Sequence, residues 1–388
     1  MKYNFDEIID RTITNDIKWK INEEVASGEV VPMWVADMDL KVANPIVEAI
    51  ENRIKTPIFG YSSLSDYHKQ LVADFFNRRH NYNVLKQDVL FSTGVVYSIN
   101  AILQKYTKEN DKVMIMLPSY GPFVSVTKSN KRIPIYTHLK LVDGKYKIDF
   151  DEMEEVVEDC KVLILCNPHN PTGKVFTKEE LIKISDFARK YEMLIISDEI
   201  HCDFDYHNKF IPIISVNEYA RENTIALTSI TKTFNLAGVK VSFIFVKNEK
   251  IREELEDFIN LLGISSINTF AIEILEATYT KCDDWLDECL SYLKSNIDYV
   301  MKRLEKIPEI KCIKPDSTYL MWLDMSKLDI TKEKLHQTII DEAKILFTSG
   351  DSFGDKYINY ERMNIACPKS QVKETMDRLE EFVKKYRK

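Results

Sequence analysis

The chain has 388 residues, of which 45% are hydrophobic and 29% are charged, a composition typical of a soluble globular protein with room for a large and a smaller domain. Its net charge of −8 argues against nucleic acid and against an anionic membrane as partners. The seven cysteines lack paired CxxC spacing, and several lie in apolar runs, as is typical of reduced thiols. Because MKYNFDEIIDR has no signal-peptide core and no apolar run is long enough to cross a bilayer, we expect a cytoplasmic protein.

Short apolar runs alternate with amphipathic stretches over most of the chain. Residues 1–43 show little helical periodicity and include VVPMWVADMD, whereas Asn44 followed by Pro45 predicts a helix with Asn44 as its N-cap. The predicted strands are VMIMLP (113–118), VLILCN (162–167), MLIISD (193–198), TIALTS (224–229) and VSFIFV (241–246). Between two of them lies the helical stretch TKEELIKISDFARKYE, in which Thr177 and Glu180 form a capping box.

Continuous apolar strands separated by helices predict an α/β fold with a mostly parallel sheet that helices cover on both faces. The gap from 230 to 240 is short for a helical crossover, so the 241–246 strand is predicted to run antiparallel. Beyond about 283 a long charged helix is followed by YLMWLDM, a helix at 331–343, RMNIAC and a terminal helix. We therefore predict an N-terminal segment (1–43), a large domain (44–282) and a smaller α+β domain (283–388).

Polar residues follow the predicted strands at the edge where parallel sheets collect ligands. Tyr120 follows the first run in PSYGPF, and Asn170 follows the second in NPHNPTG. Asp198 ends the third run in SDEIH, and Lys232 follows the fourth in SITKTF. The four side chains are expected to converge on one crevice.

Each member of this set has a structural and a functional interpretation. A lysine at a strand end is most often a solvated surface cation, but a partly desolvated Lys232 would be a nucleophile that forms a Schiff base with a carbonyl. Asp198 is either a cap or turn residue, or a carboxylate that pairs with the pyridinium nitrogen of a cofactor. NPHNPTG is either a rigid loop or a source of amide donors for a phenolate and a carboxylate.

Two further features stay ambiguous at this level. STG at 92–94 precedes the helix VVYSINAIL, so it is either a simple turn or a phosphate site at a helix N-terminus. Cys166, His169, His201 and Cys202 lie at neighbouring strand ends and could bind zinc in principle. Because adjacent residues such as 201 and 202 point to opposite faces of a strand, we expect no metal site.

SDEIH, NPHNPTG and S-x-x-K-T-F-N-x-A-G occur in the order and spacing of fold-type I pyridoxal-phosphate enzymes of the class I/II aminotransferase superfamily, which this chain resembles. PMWVADMD, FGYSSLSDY and SITKTFNLAG resemble the cystathionine β-lyase (C–S lyase) branch, known as MalY/PatB. The resemblance runs over essentially the whole chain. It implies a seven-stranded sheet, the cofactor pyridoxal 5′-phosphate, and a homodimer with shared active sites.

The resemblance also implies a role for each matching residue. Lys232 would hold the cofactor as a Schiff base and move the Cα proton, while Asp198 would contact the pyridine nitrogen. Asn170 would contact the O3′ oxygen, and Tyr120 would stack on the ring. Many aminotransferases have a tyrosine at the position of His201, and that tyrosine contacts O3′. The C–S lyase branch tends to have a histidine there, as this chain does.

The phosphate and the substrate would be held by a second group of residues. The residues implied around the phosphate are Gly94, Val95, Val96, Ser229 and Lys240, where Lys240 replaces the arginine of many relatives. Tyr61 would reach the phosphate of the neighbouring subunit. The substrate would contact Arg362, Asn170 and Tyr120, with the Arg362 fork on the α-carboxylate.

Three functions are compatible with this motif set. The branch resemblance favours α,β-elimination of L-cystathionine or related cysteine S-conjugates to thiol, pyruvate and ammonia. An aminotransferase would use the same residues and is the alternative. A cofactor-binding regulator is a third possibility, but the acidic first 43 residues do not accommodate the basic helix-turn-helix that such regulators usually carry.

Overall fold

The apolar runs form strands in the computed structural model, which describes residues 2–207 and 209–387. In chain order the strands are β1 (Val31–Pro32), β2 (Val89–Ser92), β3 (Lys112–Leu117), β4 (Ile133–Val142), β5 (Lys145–Ile148), β6 (Cys160–Cys166), β7 (Leu194–Asp198), β8 (Thr224–Thr228), β9 (Ser242–Phe245), β10 (Lys311–Cys312), β11 (Leu320–Asp324), β12 (Ile345–Leu346), β13 (Thr348–Ser349) and β14 (Tyr360–Asn364). The helices are α1 (Glu23–Ala26), α2 (Asn44–Ile54), α3 (Asp66–His80), α4 (Val95–Tyr106), α5 (Gly121–Ser129), α6 (Phe150–Val156), α7 (Lys178–Lys190), α8 (Glu218–Asn223), α9 (Ile230–Thr233), α10 (Glu249–Leu261), α11 (Thr269–Lys281), α12 (Asp283–Leu304), α13 (Lys332–Thr338) and α14 (Lys369–Lys385).

The large sheet has the order β2-β9-β8-β7-β6-β3-β4-β5. The five strands from β8 to β4 are parallel, whereas β9 runs antiparallel to both of its neighbours and β5 antiparallel to β4. The predicted α/β class and the antiparallel 241–246 strand are therefore confirmed. The described sheet has eight strands rather than seven, because β4 extends into a hairpin whose second strand is β5.

The two faces of this sheet pack into separate hydrophobic clusters, as strand alternation requires. In β3, Val113 and Ile115 pack with residues of α4, α5 and α10. Met114 and Met116, which lie between and beyond them in sequence, pack with residues of α6, α7 and α8 on the other face. Helices thus cover both faces, and the carboxyl ends of the parallel strands remain free to bind ligands.

The C-terminal part of the chain forms a second sheet with the order β10-β11-β14-β13, in which the pairs are antiparallel. A separate two-stranded sheet joins β1 of the N-terminal segment to β12 in parallel. This pairing fixes residues 31 and 32 beside the C-terminal part of the chain. The division into segments at 44 and 283 stays a prediction.

Two predicted helix starts have different outcomes. The Thr177 hydroxyl accepts from the Glu180 backbone N–H, and the Glu180 carboxylate accepts from the Thr177 N–H, so the predicted capping box is confirmed. Asn44 is already the first residue of α2, and the N-cap is Ala43, which makes no side-chain capping bond. The prediction that Asn44 caps this helix is wrong, because Pro45 sits one position deeper than the first helical residue.

Within the described residues, no helix combines the length and apolarity that a bilayer span needs.

Candidate active site

The four polar residues at the strand ends line one cavity of about 570 Å³. Tyr120 lies just after β3, Asn170 in the loop after β6, and Asp198 at the last position of β7. Lys232 lies in α9, directly after β8. The predicted convergence is confirmed, because parallel strands bring these positions to the same edge of the sheet.

Lys232 is held in a low-dielectric environment. Burial and the nearby Arg362 guanidinium lower the pKa of Lys232 to about 8, although Asp37 and Asp198 act in the opposite direction. Its Nζ donates a hydrogen bond to the backbone carbonyl of Ala36 at 2.5 Å. A lowered pKa gives an appreciable fraction of free amine near neutral pH, which is what a nucleophilic lysine needs.

Asp198 is a buried carboxyl, with 4% of its surface exposed. Burial raises the pKa of Asp198 to about 7, while the backbone N–H of Ile200, 3.1 Å from Oδ1, and the Lys232 ammonium act to lower it. Such a carboxyl lacks a strong cationic partner of its own. It is therefore suited to pair with a cation that a ligand brings.

Arg362, on β14, reaches the same cavity from the second sheet. Its Nη1 donates to Asn170 Oδ1 at 3.0 Å, and its Nη2 donates to the carbonyl of Trp34 at 3.0 Å. Its Nε is buried and finds no hydrogen-bond partner among the described residues. Burial lowers the pKa of Arg362 to about 10. A buried guanidinium that lines a cavity and still has an N–H without a partner is suited to bind an anionic group such as a carboxylate.

The helix N-terminus expected to hold a phosphate also lines the cavity. Gly94 is the N-cap of α4, which begins at Val95, and the cavity is further lined there by Thr93, Val96, Tyr97, Thr231 and Lys240. Unpaired backbone N–H groups at this end of a helix favour an anion.

Ser229 is not among the residues that line the cavity, and its expected phosphate contact stays a prediction. Its hydroxyl caps α9 by accepting from the Thr231 N–H at 3.0 Å, and it donates to the carbonyl of Val241 at 2.5 Å. Thr231, two residues further on, does line the cavity. The capping geometry of a short helix explains the difference, because the residue before the helix turns its side chain to the helix backbone.

His201 and Tyr61 have contrasting positions. His201 lines the cavity, its Nδ1 has no partner among the described residues, and burial lowers the pKa of its imidazole to about 3. The ring is therefore neutral at neutral pH. Tyr61 lies between α2 and α3, is not among the residues that line the cavity, and is fully exposed, so this chain alone does not bring it to the site.

The stretch from Trp34 to Ala36, together with Thr348, lines the cavity and was not among the expected site residues. Its main contribution is backbone carbonyls, as the contacts of Lys232 and Arg362 show. Carbonyl groups have no residue-type signature. The only sequence signal was the resemblance carried by PMWVADMD.

The four side chains considered for zinc do not come together. Where the structure describes the chain, His80, Cys202 and Asp203 form the group whose potential ligand atoms lie within 4.8 Å of one another. In this group Asp203 is already paired with His80 Nε2 at 2.7 Å. Of the four residues considered, this group contains Cys202 alone.

The model of the family described as aminotransferase class I and II matches residues 36–379. The chain belongs to this family. The resemblance inferred from the lysine, asparagine and aspartate motifs is therefore confirmed.

Individual members of the class I and II aminotransferase family are similar to this chain over nearly their whole length. Cystathionine beta-lyase PatB of Bacillus subtilis (strain 168) is 32% identical over 381 residues, which cover 97% of this chain and 98% of PatB. A PLP-bound protein of Clostridium difficile 630, named as a candidate aminotransferase, is 38% identical, with a TM-score of 0.95 and coverage of 98% and 100%. Cystalysin from Treponema denticola, which contains pyridoxal 5′-phosphate, is 32% identical, with a TM-score of 0.94 and coverage of 99% and 100%.

Proposed function

We propose that this protein is a pyridoxal-phosphate-dependent C–S β-lyase. It converts L-cystathionine or a related cysteine S-conjugate, with water, into a thiol, pyruvate and ammonia. The observation that carries the proposal is one cavity that combines a lysine of lowered pKa with a buried carboxyl, a helix N-terminus and an arginine with a free N–H. The similarity to cystathionine beta-lyase PatB over 97% of the chain supports the same reaction.

The cavity residues fit the cofactor by charge and by hydrogen-bonding capacity. The N-terminus of α4 with Gly94, Thr231 and Lys240 suits a phosphate. Asp198 suits a pyridinium nitrogen, because burial disfavours the charged carboxylate and a pyridinium N–H would supply the cationic partner that stabilises it. His201 Nδ1 is a buried polar atom in need of a partner, which a polar ring substituent would supply.

Pyridoxal phosphate, when bound, supplies an electron sink for charge that develops at the substrate Cα. Lys232 then acts twice, first as the attachment point and afterwards as the base that takes the Cα proton. Arg362 binds the substrate carboxylate and fixes which bond at Cα faces Lys232. Asn170, which accepts from Arg362 Nη1, keeps the guanidinium in this orientation.

The charges of the cavity support a lyase over an aminotransferase for dicarboxylic amino acids. Arg362 is the one arginine that lines the cavity in the described part of the chain. Of the two lysines that line the cavity, Lys232 is the proposed attachment point and Lys240 is proposed for the phosphate. A second substrate carboxylate would therefore lack a guanidinium partner within this subunit.

We further propose a cytoplasmic homodimer that shares its active sites. Tyr61 is fully exposed, and apolar side chains beside it and near the cavity mouth are exposed as well, among them Ile58, Phe59, Val96 and Tyr97. Burying such a surface against a second copy is favourable, and it would bring Tyr61 of one subunit to the phosphate region of the other. The seven cysteines are free, as expected in a reducing compartment.

Two measurements test the proposal. Adding pyridoxal phosphate to the wild type should give a visible absorbance band that borohydride bleaches, and the Lys232→Ala variant should not give this band. Incubation with L-cystathionine, without any keto acid, should release pyruvate and thiol over many turnovers. A single half-turnover that stops at the pyridoxamine form would identify an aminotransferase, and no band would contradict cofactor binding altogether.

A further inference from the structure

One short backbone segment, residues 34–40, supplies the resting contacts of both functional cations. The carbonyl of Trp34 accepts from Arg362 Nη2 at 3.0 Å and from the Thr348 hydroxyl at 2.9 Å. The carbonyl of Ala36 accepts from Lys232 Nζ at 2.5 Å and from the Tyr319 hydroxyl at 3.0 Å. The position of this segment therefore decides where each cation rests.

Asn235 holds one end of the 34–40 segment. It lies three residues after Lys232, and its side-chain amide forms hydrogen bonds with backbone N–H and carbonyl groups of the segment. Its Nδ2 donates to the carbonyls of Met38 and Leu40, both at 2.9 Å, and its Oδ1 accepts from the Met38 N–H at 2.9 Å. The turn that carries Lys232 is thus tied to the segment whose carbonyl Lys232 contacts.

Asn364 holds the middle of the same segment. It lies two residues after Arg362 on β14 and is 1% exposed. Its Nδ2 donates to the carbonyls of Val35 at 2.5 Å and Asp37 at 2.6 Å, and its Oδ1 accepts from the Ala366 N–H at 2.8 Å. The two acceptors flank Ala36, so Asn364 fixes the peptide groups on either side of the carbonyl that Lys232 contacts.

Two cations near the N-terminus, Arg11 and Lys18, form a third set of contacts with the 34–40 segment. Arg11 Nη2 pairs with Asp37 at 2.7 Å, and Lys18 Nζ pairs with Asp39 at 2.5 Å. These ion pairs hold side chains of the segment, and Arg11 Nη1 also donates to the Met38 carbonyl at 3.2 Å, whereas the contacts of the two asparagines are all with backbone. The Tyr319 hydroxyl contacts the Ala36 carbonyl itself, and the asparagines fix the peptide groups around it.

We propose that Asn235 and Asn364 are positioning residues for Lys232, which act by fixing the carbonyl of Ala36. This inference builds on the role of Lys232 in the proposed lyase. An accepting carbonyl stabilises the ammonium form of an amine and directs its N–H bonds. Once the carbonyl is released, the amine loses both the stabilisation of its charged form and its fixed direction.

The test uses Asn235→Gly and Asn364→Ala, which remove the amides without adding charge. Glycine suits position 235 because the backbone there has a φ of 58°, a left-handed conformation that glycine adopts without strain. Asn364→Ser is a second choice that keeps one donor and should show a smaller effect of the same sign. The matched control is Asn77→Ala, since Asn77 pairs with the N–H and carbonyl of Val84 in the same way, at 2.9 and 2.7 Å, away from the cavity.

The first readout needs no cofactor. The rate at which a limiting amine-specific acylating reagent labels Lys232, followed by peptide mass spectrometry, is measured against pH in cofactor-free protein. Both test variants should move the midpoint to lower pH by about 0.5 to 1 unit, because the ammonium has lost an acceptor, and Asn77→Ala should leave it unchanged. In the loaded enzyme, kcat should fall about tenfold with little change in KM, because an undirected base is less effective.

The outcomes separate the inference from the function on which it rests. If both variants keep the wild-type midpoint and kcat, and lose only the stability that Asn77→Ala also loses, the asparagines are structural and the inference is wrong. If the wild type fails to give the visible band with pyridoxal phosphate, the proposed function fails. The labelling midpoint of Lys232 then still decides whether the asparagines position its amine.

Discussion

Replacing Arg362 with lysine tests whether the guanidinium fork binds the substrate carboxylate. In the present structure Nη1 and Nη2 are committed to Asn170 and Trp34, while Nε is buried without a partner in the described part of the chain. A lysine keeps the charge but lacks the planar fork, so it cannot offer a carboxylate the paired N–H groups of a guanidinium. Losing one or two charge-assisted hydrogen bonds should reduce transition-state stabilisation by about 2–4 kcal/mol, which is about a 30- to 1,000-fold loss in kcat/KM.

The assay for this variant is pyruvate release from a cysteine S-conjugate over a range of substrate concentrations. We expect KM to rise more than kcat falls, because the contact exists before the chemical step as well as during it. The visible band with pyridoxal phosphate should persist, since Arg362 is not a proposed cofactor contact. Arg303→Lys is the control, because Arg303 pairs with Asp377 and Glu380 away from the cavity. A loss of less than about threefold for Arg362→Lys would show that the fork does not carry the carboxylate.

Three further substitutions have expected outcomes. Asp198→Asn should stabilise the cofactor-free protein against thermal unfolding at pH 8 but not at pH 4. Because the pKa of Asp198 is raised to about 7 in the folded protein, the stability of the wild type falls as pH rises from about 4 to 7. Equal effects of the substitution at both pH values would contradict this. Gly173→Ala should cost about 2–4 kcal/mol in unfolding free energy, since φ is +68° and a Cβ would lie 2.3 Å from that of Pro315; an unchanged melting temperature would refute the clash. Lys18→Met should destabilise by about 1–3 kcal/mol because the buried Asp39 loses its ammonium partner and keeps only the Arg11 guanidinium as a cationic partner; an unchanged unfolding free energy in calorimetry would contradict this.

The main-chain architecture could be predicted because the signals were repeated and mutually consistent. Continuous apolar runs separated by helices specify a parallel sheet, and the short gap before 241–246 specified the reversal of β9. Three strands of the sheet, β2, β4 and β5, were not among the predicted runs, although the signal for the β4–β5 hairpin was present. Asp143 and Gly144 both have positive φ and form the type of two-residue turn that joins hairpin strands.

The candidate site could be predicted where residue type determines chemistry. Lys232, Asp198, Asn170 and Arg362 line the cavity as expected. The hydrogen bonds of Ser229 could not be predicted from the sequence, because a hydroxyl next to a short helix has two competing partners, the helix backbone and a ligand. Its role as the cap of α9 depends on φ and ψ values that the sequence does not reveal.

The contribution of residues 34–40 was beyond sequence reasoning for a different reason. This segment acts through carbonyl oxygens, and every residue type has a carbonyl. The side chains that reveal its position, Asn235 and Asn364, come from places about 200 and 330 residues away in sequence. Such distant pairings become visible only when the chain is folded.

The use of backbone carbonyls at 34 and 36 has a consequence for engineering the enzyme. A substitution changes a side chain but leaves the carbonyl in place, so libraries at Trp34 and Val35 can reshape the cavity wall without deleting the acceptors of Arg362 and Lys232. The same libraries placed at Asn235 or Asn364 would alter the acceptors themselves. Substrate range can therefore be diversified at Trp34 and Val35. Leaving Asn235 and Asn364 unchanged keeps the contacts that position Lys232.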